Sequence, residues 1–163
     1  MPTAAKTPGL KHDIESLVAT AHSAEELMRG IVALLRERVS SFNWVGFYML
    51  QTPQHGKQPV LVLGPYVGAP TPHTRIPLNE GICGAAASSG KTVVVDNVHS
   101  DPRYLACSVE TKSEIVVPIF VRGTVVGELD IDSHSPAAFG PEQRSLVEEC
   151  ARLVGNYLEK SHP

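Results

Sequence analysis

"EIVVPIFVRGTVVGELDIDS" (residues 114–133) sets two runs of β-branched and apolar residues on either side of Arg122-Gly123. Two such runs around a two-residue turn predict an antiparallel β-hairpin. Side chains alternate between the two faces of a strand, so Asp130 and Asp132 are expected on one side of the second run and Ile131 on the other. Glu114 opens the first run, and Cys107 stands seven residues ahead of it in "YLACSVETKSEIVVP" (104–118).

Upstream, "FNWVGFYML" (42–50) and "VLVLGPYVG" (60–68) are aromatic and β-branched, and the polar TPQHGKQ between them predicts a second hairpin. "GICGAAASSG" (81–90) reads as a short helix stopped by Gly90, followed by a strand in "KTVVVDNV" (91–98). Helices are expected at both ends. His12 to Val39 forms two pieces, the second opening at Ser23 with Glu26 in capping-box spacing and Leu27, Met28, Ile31, Leu34 and Leu35 along one face. Pro141 to Lys160 carries Leu146, Val147, Cys150, Leu153 and Val154 at helical spacing, which favours inert packing for Cys150. Residues 1–11 are rich in Pro, Thr and Lys and read as a frayed, flexible N-terminus ahead of one domain over 12–160. The order of elements predicts an α+β fold: an antiparallel sheet with the N- and C-terminal helices on one face and a loop-roofed pocket on the other.

The chain has 163 residues, 42% hydrophobic and 19% charged, with a net charge of −3. That balance argues against disorder and against binding to the phosphates of nucleic acid. No apolar stretch approaches the ~20 residues of a membrane span, and the opening MPTAAKTPGLKHD lacks a hydrophobic signal core. A soluble cytoplasmic protein is expected. Cys83, Cys107 and Cys150 are an odd number, too few for a secreted disulfide framework, which leaves buried packing, metal ligation or thiol chemistry.

"FNWVGFY", "LVLGPYVG", "GICG", "DNVH", "AC" followed by "ETKSEIVVPI", and "GELDIDS" together resemble the free methionine-(R)-sulfoxide reductases, which are GAF-domain enzymes. The resemblance runs from about Phe42 to Asp132 in one register. It implies a GAF fold, a homodimer, no cofactor, and reduction of free methionine-R-sulfoxide at the expense of a thioredoxin-like dithiol. It also implies that Cys107 is the nucleophile and Cys83 the second redox cysteine, with Glu114, Asp130 and Asp132 gathered at the pocket. Many members carry a further cysteine ten residues before the GxCG cysteine, where this chain has His73. The sulfenic acid would then be resolved by Cys83 directly or by an external thiol such as glutathione.

Taken by themselves, the same residues allow plainer readings. Cys107 alone reads as a small buried hydrophobe, and Cys83 as packing or as a reactive thiol with equal weight. The start of a short helix, with its exposed N–H groups and dipole, would favour a Cys83 thiolate. Two carboxylates on a strand face are commonly solvated; enclosed beside Glu114, desolvation and mutual repulsion would raise at least one pKa and keep a proton for the sulfoxide oxygen. Trp44 and Tyr48, four residues apart on one strand face, read as core aromatics or as walls for the substrate S-methyl group. A GAF sensor that binds a small effector is the rival function, but the chain is too short for an output domain of its own. Cys83, Cys107 and His73 or His99 show none of the paired spacings of a zinc site, so no metal is expected.

Overall fold

The computed structural model describes residues 7–52, 58–105 and 109–161. The hairpin forms as β-strands Ser113–Val121 and Thr124–Ser133. Its turn is Arg122 (φ 50°) and Gly123 (φ 78°), the left-handed pair whose twist matches that of the flanking strands. The strands, in chain order, are β1 (Trp44–Gln51), β2 (Val60–Val67), β3 (Arg75–Pro77), β4 (Val93–Val95), β5 (Ser113–Val121) and β6 (Thr124–Ser133). They make one antiparallel sheet in the order β3-β2-β1-β6-β5-β4, so β6 lies between β1 and β5.

Four helices complete the fold: α1 (Thr7–Thr20), α2 (Ala24–Arg38), α3 (Gly81–Ser89) and α4 (Pro141–Ser161). The Ser23 hydroxyl caps α2 by accepting from the Glu26 N–H at 3.1 Å, and the Glu26 carboxylate accepts in turn from the His22 N–H at 2.9 Å. Gly90 ends α3 in the left-handed conformation, as expected from its sequence.

Two expectations change in detail, and one strand is new. Helix α1 begins at Thr7, inside the stretch 1–11 read as frayed, because Leu10 and Ile14 bury completely or nearly so against the core and stabilise the turn around them. The strand read across 91–98 shrinks to three residues, followed by a 3-10 turn at Val98–Ser100 capped by the Asn97 side chain. The Pro-rich stretch after residue 68 contains a strand, β3, that runs beside β2 from Val60↔Pro77 to Val62↔Arg75.

The alternation of the sheet separates two apolar layers. Val45 and Phe47 of β1, Ile115, Val117 and Ile119 of β5, and Leu129 and Ile131 of β6 point to the helical face. There they meet Leu27, Ile31 and Leu35 of α2 and Val147, Cys150 and Val154 of α4. Cys150 is fully buried in that layer, and burial pushes its thiol up to about 12, so it packs as a hydrophobe. The Tyr157 hydroxyl donates to the carbonyl of Ala21 at 3.0 Å and pins α4 to the α1–α2 turn. The opposite layer is smaller: Trp44, Tyr48 and Val116 pack beneath Ile82, Cys83 and Ala86 of α3.

Helix α4 lies directly on β5, and a Cβ at Gly155 would stand 2.4 Å from the Phe120 carbonyl oxygen. A backbone oxygen in a paired strand has little room to give. Alanine would gain about 1 kcal/mol of helix propensity but incur about 1–3 kcal/mol of overpacking. Gly155→Ala is therefore expected to destabilise the protein by up to about 2 kcal/mol, read by chemical denaturation as a lower midpoint with an unchanged slope.

Candidate active site

On β6 the residues facing away from the helical layer are Glu128, Asp130 and Asp132, all at most 5% exposed. Register places Asp132 beside Glu114 of β5 and Trp44 of β1, Asp130 beside Val116 and Gly46, and Glu128 beside Pro118 and Tyr48. Four carboxyl groups therefore share one enclosed face of the sheet. Helix α3 closes over it and brings in Cys83, whose thiol donates to Asp130 Oδ2 at 3.3 Å.

Trp44 and Tyr48 stand on the same face, as expected, with ring centroids 6.3 Å apart. Gly46 lies between them. A Cβ there would be 2.4 Å from Cη2 of the Trp44 indole, so the missing side chain lets the ring lie down along the strand. Each aromatic spends its polar atom on the loop above: Trp44 Nε1 donates to the Ala69 carbonyl at 3.0 Å, and the Tyr48 hydroxyl to the His73 carbonyl at 2.7 Å. The 69–73 segment is thereby held as a roof.

Two chambers result. An outer cavity of about 260 Å³ is walled by Trp44, Tyr48, Asp130 and Asp132 from the sheet, by Gly68 to Thr71 from the roof, and by Glu110, Thr111 and His134 at its rim. An inner niche of about 20 Å³ lies against Cys83, Glu114, Asp130, Tyr48 and His73. Asp130 and Tyr48 are walls of both. Cys107 falls outside the described residues.

Burial dominates the electrostatics. Glu114 is pushed well above the usual carboxylate range by desolvation first, then by Asp130 and Asp132. Asp132 rises for the same leading reason, with Asp130 adding to it, and Glu128 is raised well above its ordinary value by desolvation. Asp130 is also raised by burial, but bonds from Glu114 and Cys83 pull it back, so its charge is the best supported of the four. The Cys83 thiol is pushed well up by burial, then by Asp130, Glu128 and Glu114. This corrects the expectation that the helix start would favour a thiolate: the dipole of a nine-residue helix, an effect of about 1 kcal/mol, is overwhelmed by burial among carboxyls.

A GAF domain model matches residues 23–158. The free methionine-R-sulfoxide reductase of Escherichia coli is 36% identical over 149 residues, covering 89% of this chain and 86% of its own. The chain belongs to the GAF-domain free methionine-R-sulfoxide reductase family. A structure of the free methionine-R-sulfoxide reductase from Neisseria meningitidis in complex with its substrate superposes with a TM-score of 0.81 at 38% identity, covering 93% of this chain and 87% of that one. A structure of fRMsr of Staphylococcus aureus in complex with substrate gives a TM-score of 0.86 at 33% identity, covering 97% and 99%.

The six-stranded antiparallel sheet with its helices is thus the GAF fold of this reductase family, and the α+β architecture agrees with the sequence. Among the described residues no helix is long and apolar enough to cross a membrane. The resemblance gathered Glu114, Asp130 and Asp132 at a pocket with Cys83 as second redox cysteine, and alternation put Trp44 and Tyr48 on one strand face; in the structure all six side chains line the two chambers. Sequence reasoning missed Glu128, which sits two positions before Asp130. The alternation that paired Asp130 with Asp132 also points to Glu128 when carried one step further back.

Glu128 is fully buried, and neither carboxyl oxygen has a hydrogen-bond partner. Its raised pKa means that folding tightens proton binding, so its contribution to stability is fully present below the unfolded value of about 4.3 and is lost as pH rises towards the folded value. Glu128→Gln carries no such proton. Its melting temperature relative to wild type is expected to climb steadily from pH 4 to pH 8, measured by calorimetry at matched ionic strength; a constant offset across that range would contradict the assignment.

Proposed function

We propose that this protein reduces free L-methionine-(R)-S-oxide to methionine by thiol chemistry. The observation that carries the reading is the enclosed Cys83–Asp130 contact, set among further carboxyls and against a cavity walled by Trp44 and Tyr48. That cavity, about 260 Å³, lies just below the ~300–1,000 Å³ of drug-sized sites and suits a free amino acid. Reductase activity in relatives that span most of the chain supports the same reading.

In this mechanism the Cys107 thiolate attacks the sulfoxide sulfur, the S–O bond breaks, and the oxygen leaves on Cys107 as a sulfenic acid while methionine departs. The oxygen needs a proton as it leaves. Glu114 and Asp132, held neutral by burial, are the groups that supply one, and their neutrality limits the negative charge beside the thiolate. Cys83 then attacks the sulfenic sulfur, releasing water and forming a disulfide. Asp130, the acid best able to carry charge and already accepting the thiol hydrogen, takes the Cys83 proton in that step. A thioredoxin-like dithiol, or glutathione, regenerates both thiols by exchange. Trp44 and Tyr48 bound the S-methyl group, an acidic side chain takes the substrate ammonium, and the working form is a homodimer.

Reductant consumption with free methionine-R-sulfoxide, the free S epimer and a peptide sulfoxide tests this directly. Turnover is expected on the free R epimer alone. Cys107→Ser should abolish it, Cys83→Ser should leave slow or glutathione-dependent turnover, and Asp132→Asn should lower kcat by about 10²–10⁴. A well-folded, reduced wild type that turns over none of the three with dithiothreitol is a binding domain, as in the sensor reading.

A further inference from the structure

We propose that Cys83, Glu114 and Asp130 form a site for a single divalent cation of the zinc class, and that its occupation switches the reductase off. One ligand atom from each of the three lies within 4.8 Å of the others. They come from α3, β5 and β6, so their meeting depends on the fold and has no counterpart in sequence spacing. Cys83 Sγ and Asp130 Oδ2 are 3.3 Å apart. Two ligands of a tetrahedral zinc ion, with Zn–S near 2.3 Å and Zn–O near 2.1 Å, sit about 3.6 Å apart. Only a small adjustment is required.

A second, independent observation points to a cation. Asp130, which lines the niche and is 95% buried, has its Oδ1 enclosed without a hydrogen-bond partner. A buried acceptor left in this state is rare, and a positive ion in the niche satisfies it. Among the described residues no lysine or arginine lines the niche to do so. Its volume of about 20 Å³ exceeds the ~10–15 Å³ that one water needs, and so admits one ion. A donor set of one sulfur and two carboxyl oxygens suits zinc or cobalt and is too soft for magnesium or calcium, and three protein ligands leave a fourth position for water.

Binding replaces the Cys83 S–H bond with a sulfur–metal bond and the Glu114 O–H bond with an oxygen–metal bond, and releases both protons to solvent. The bound sulfur can no longer attack a sulfenic acid, and the bound carboxylates can no longer hold or accept a proton. Inhibition therefore rests on the reductase reading above; binding of the ion does not.

The experiment is an optical titration of the full-length, untagged, phosphine-reduced protein with Co²⁺, followed by calorimetric competition with Zn²⁺. One equivalent of cobalt is expected to produce a thiolate-to-cobalt charge-transfer band, and zinc to bleach it. Cys83→Ser should abolish the band, Asp130→Asn should weaken binding at least about tenfold, and Cys107→Ser should keep the band. Circular dichroism verifies the fold of each variant. Should Cys83→Ser fail to fold, Glu114→Gln with about tenfold weaker zinc binding serves in its place. Absence of the band, its survival in Cys83→Ser, or its loss in Cys107→Ser overturns the site. In the activity arm, stoichiometric zinc should stop turnover and a chelator restore it; undiminished turnover at saturating zinc overturns the switch. A cobalt band in a protein inactive under all conditions would refute the reductase reading and uphold the site.

Discussion

Strand β6 carries hydrocarbon on one face and carboxylic acids on the other, and its register against β1 and β5 is the constraint on which the rest of the structure depends. Leu129 and Ile131 are in the helical core, while Glu128, Asp130 and Asp132 are buried on the opposite face. Because side chains alternate with a period of two, a slip of one residue would drive three carboxyl groups into the hydrocarbon between sheet and helices. The penalty for burying unpaired charge there is large enough to exclude that register. The hairpin turn at Arg122-Gly123 enforces the same choice locally, so a short-range and a long-range constraint agree.

The acids on that face are costly to bury, and the cost is the source of their chemistry. Solvated on a strand surface they would be ordinary carboxylates with no proton to give near neutral pH. Enclosed by α3 and by the roof that Trp44 and Tyr48 hold, Glu114, Glu128 and Asp132 are pushed well above the usual carboxylate range. Asp130 differs because Cys83 and Glu114 hydrogen-bond to it. Four chemically similar groups thus differ in proton affinity by position alone, and the acid that best bears charge touches the thiol.

Most of this was legible in the sequence, for identifiable reasons. Both hairpins, the short helix ending at Gly90 and the amphipathic helices were carried by turn residues and by apolar periodicity. What escaped lacked a signal of that kind. Strand β3 is three residues, Arg75–Pro77, between proline-rich segments, and it exists because β2 has a free edge for it to join. The start of α1 at Thr7 depends on Leu10 finding the core, which is tertiary information. The environment of Cys83 was misjudged because a helix start can be read from sequence, whereas the acids facing it come from strands more than thirty residues away. Glu128 was the exception: its signal was present in the alternation and was not carried far enough.

The pinning of α4 to the α1–α2 turn by Tyr157 has a topological consequence. The first and last helices belong to one layer, on the side of the sheet opposite the two chambers. Helices α1 and α4, far apart in sequence, therefore share one anchorage, and the described chain closes on itself like a clasp on the face of the sheet away from α3.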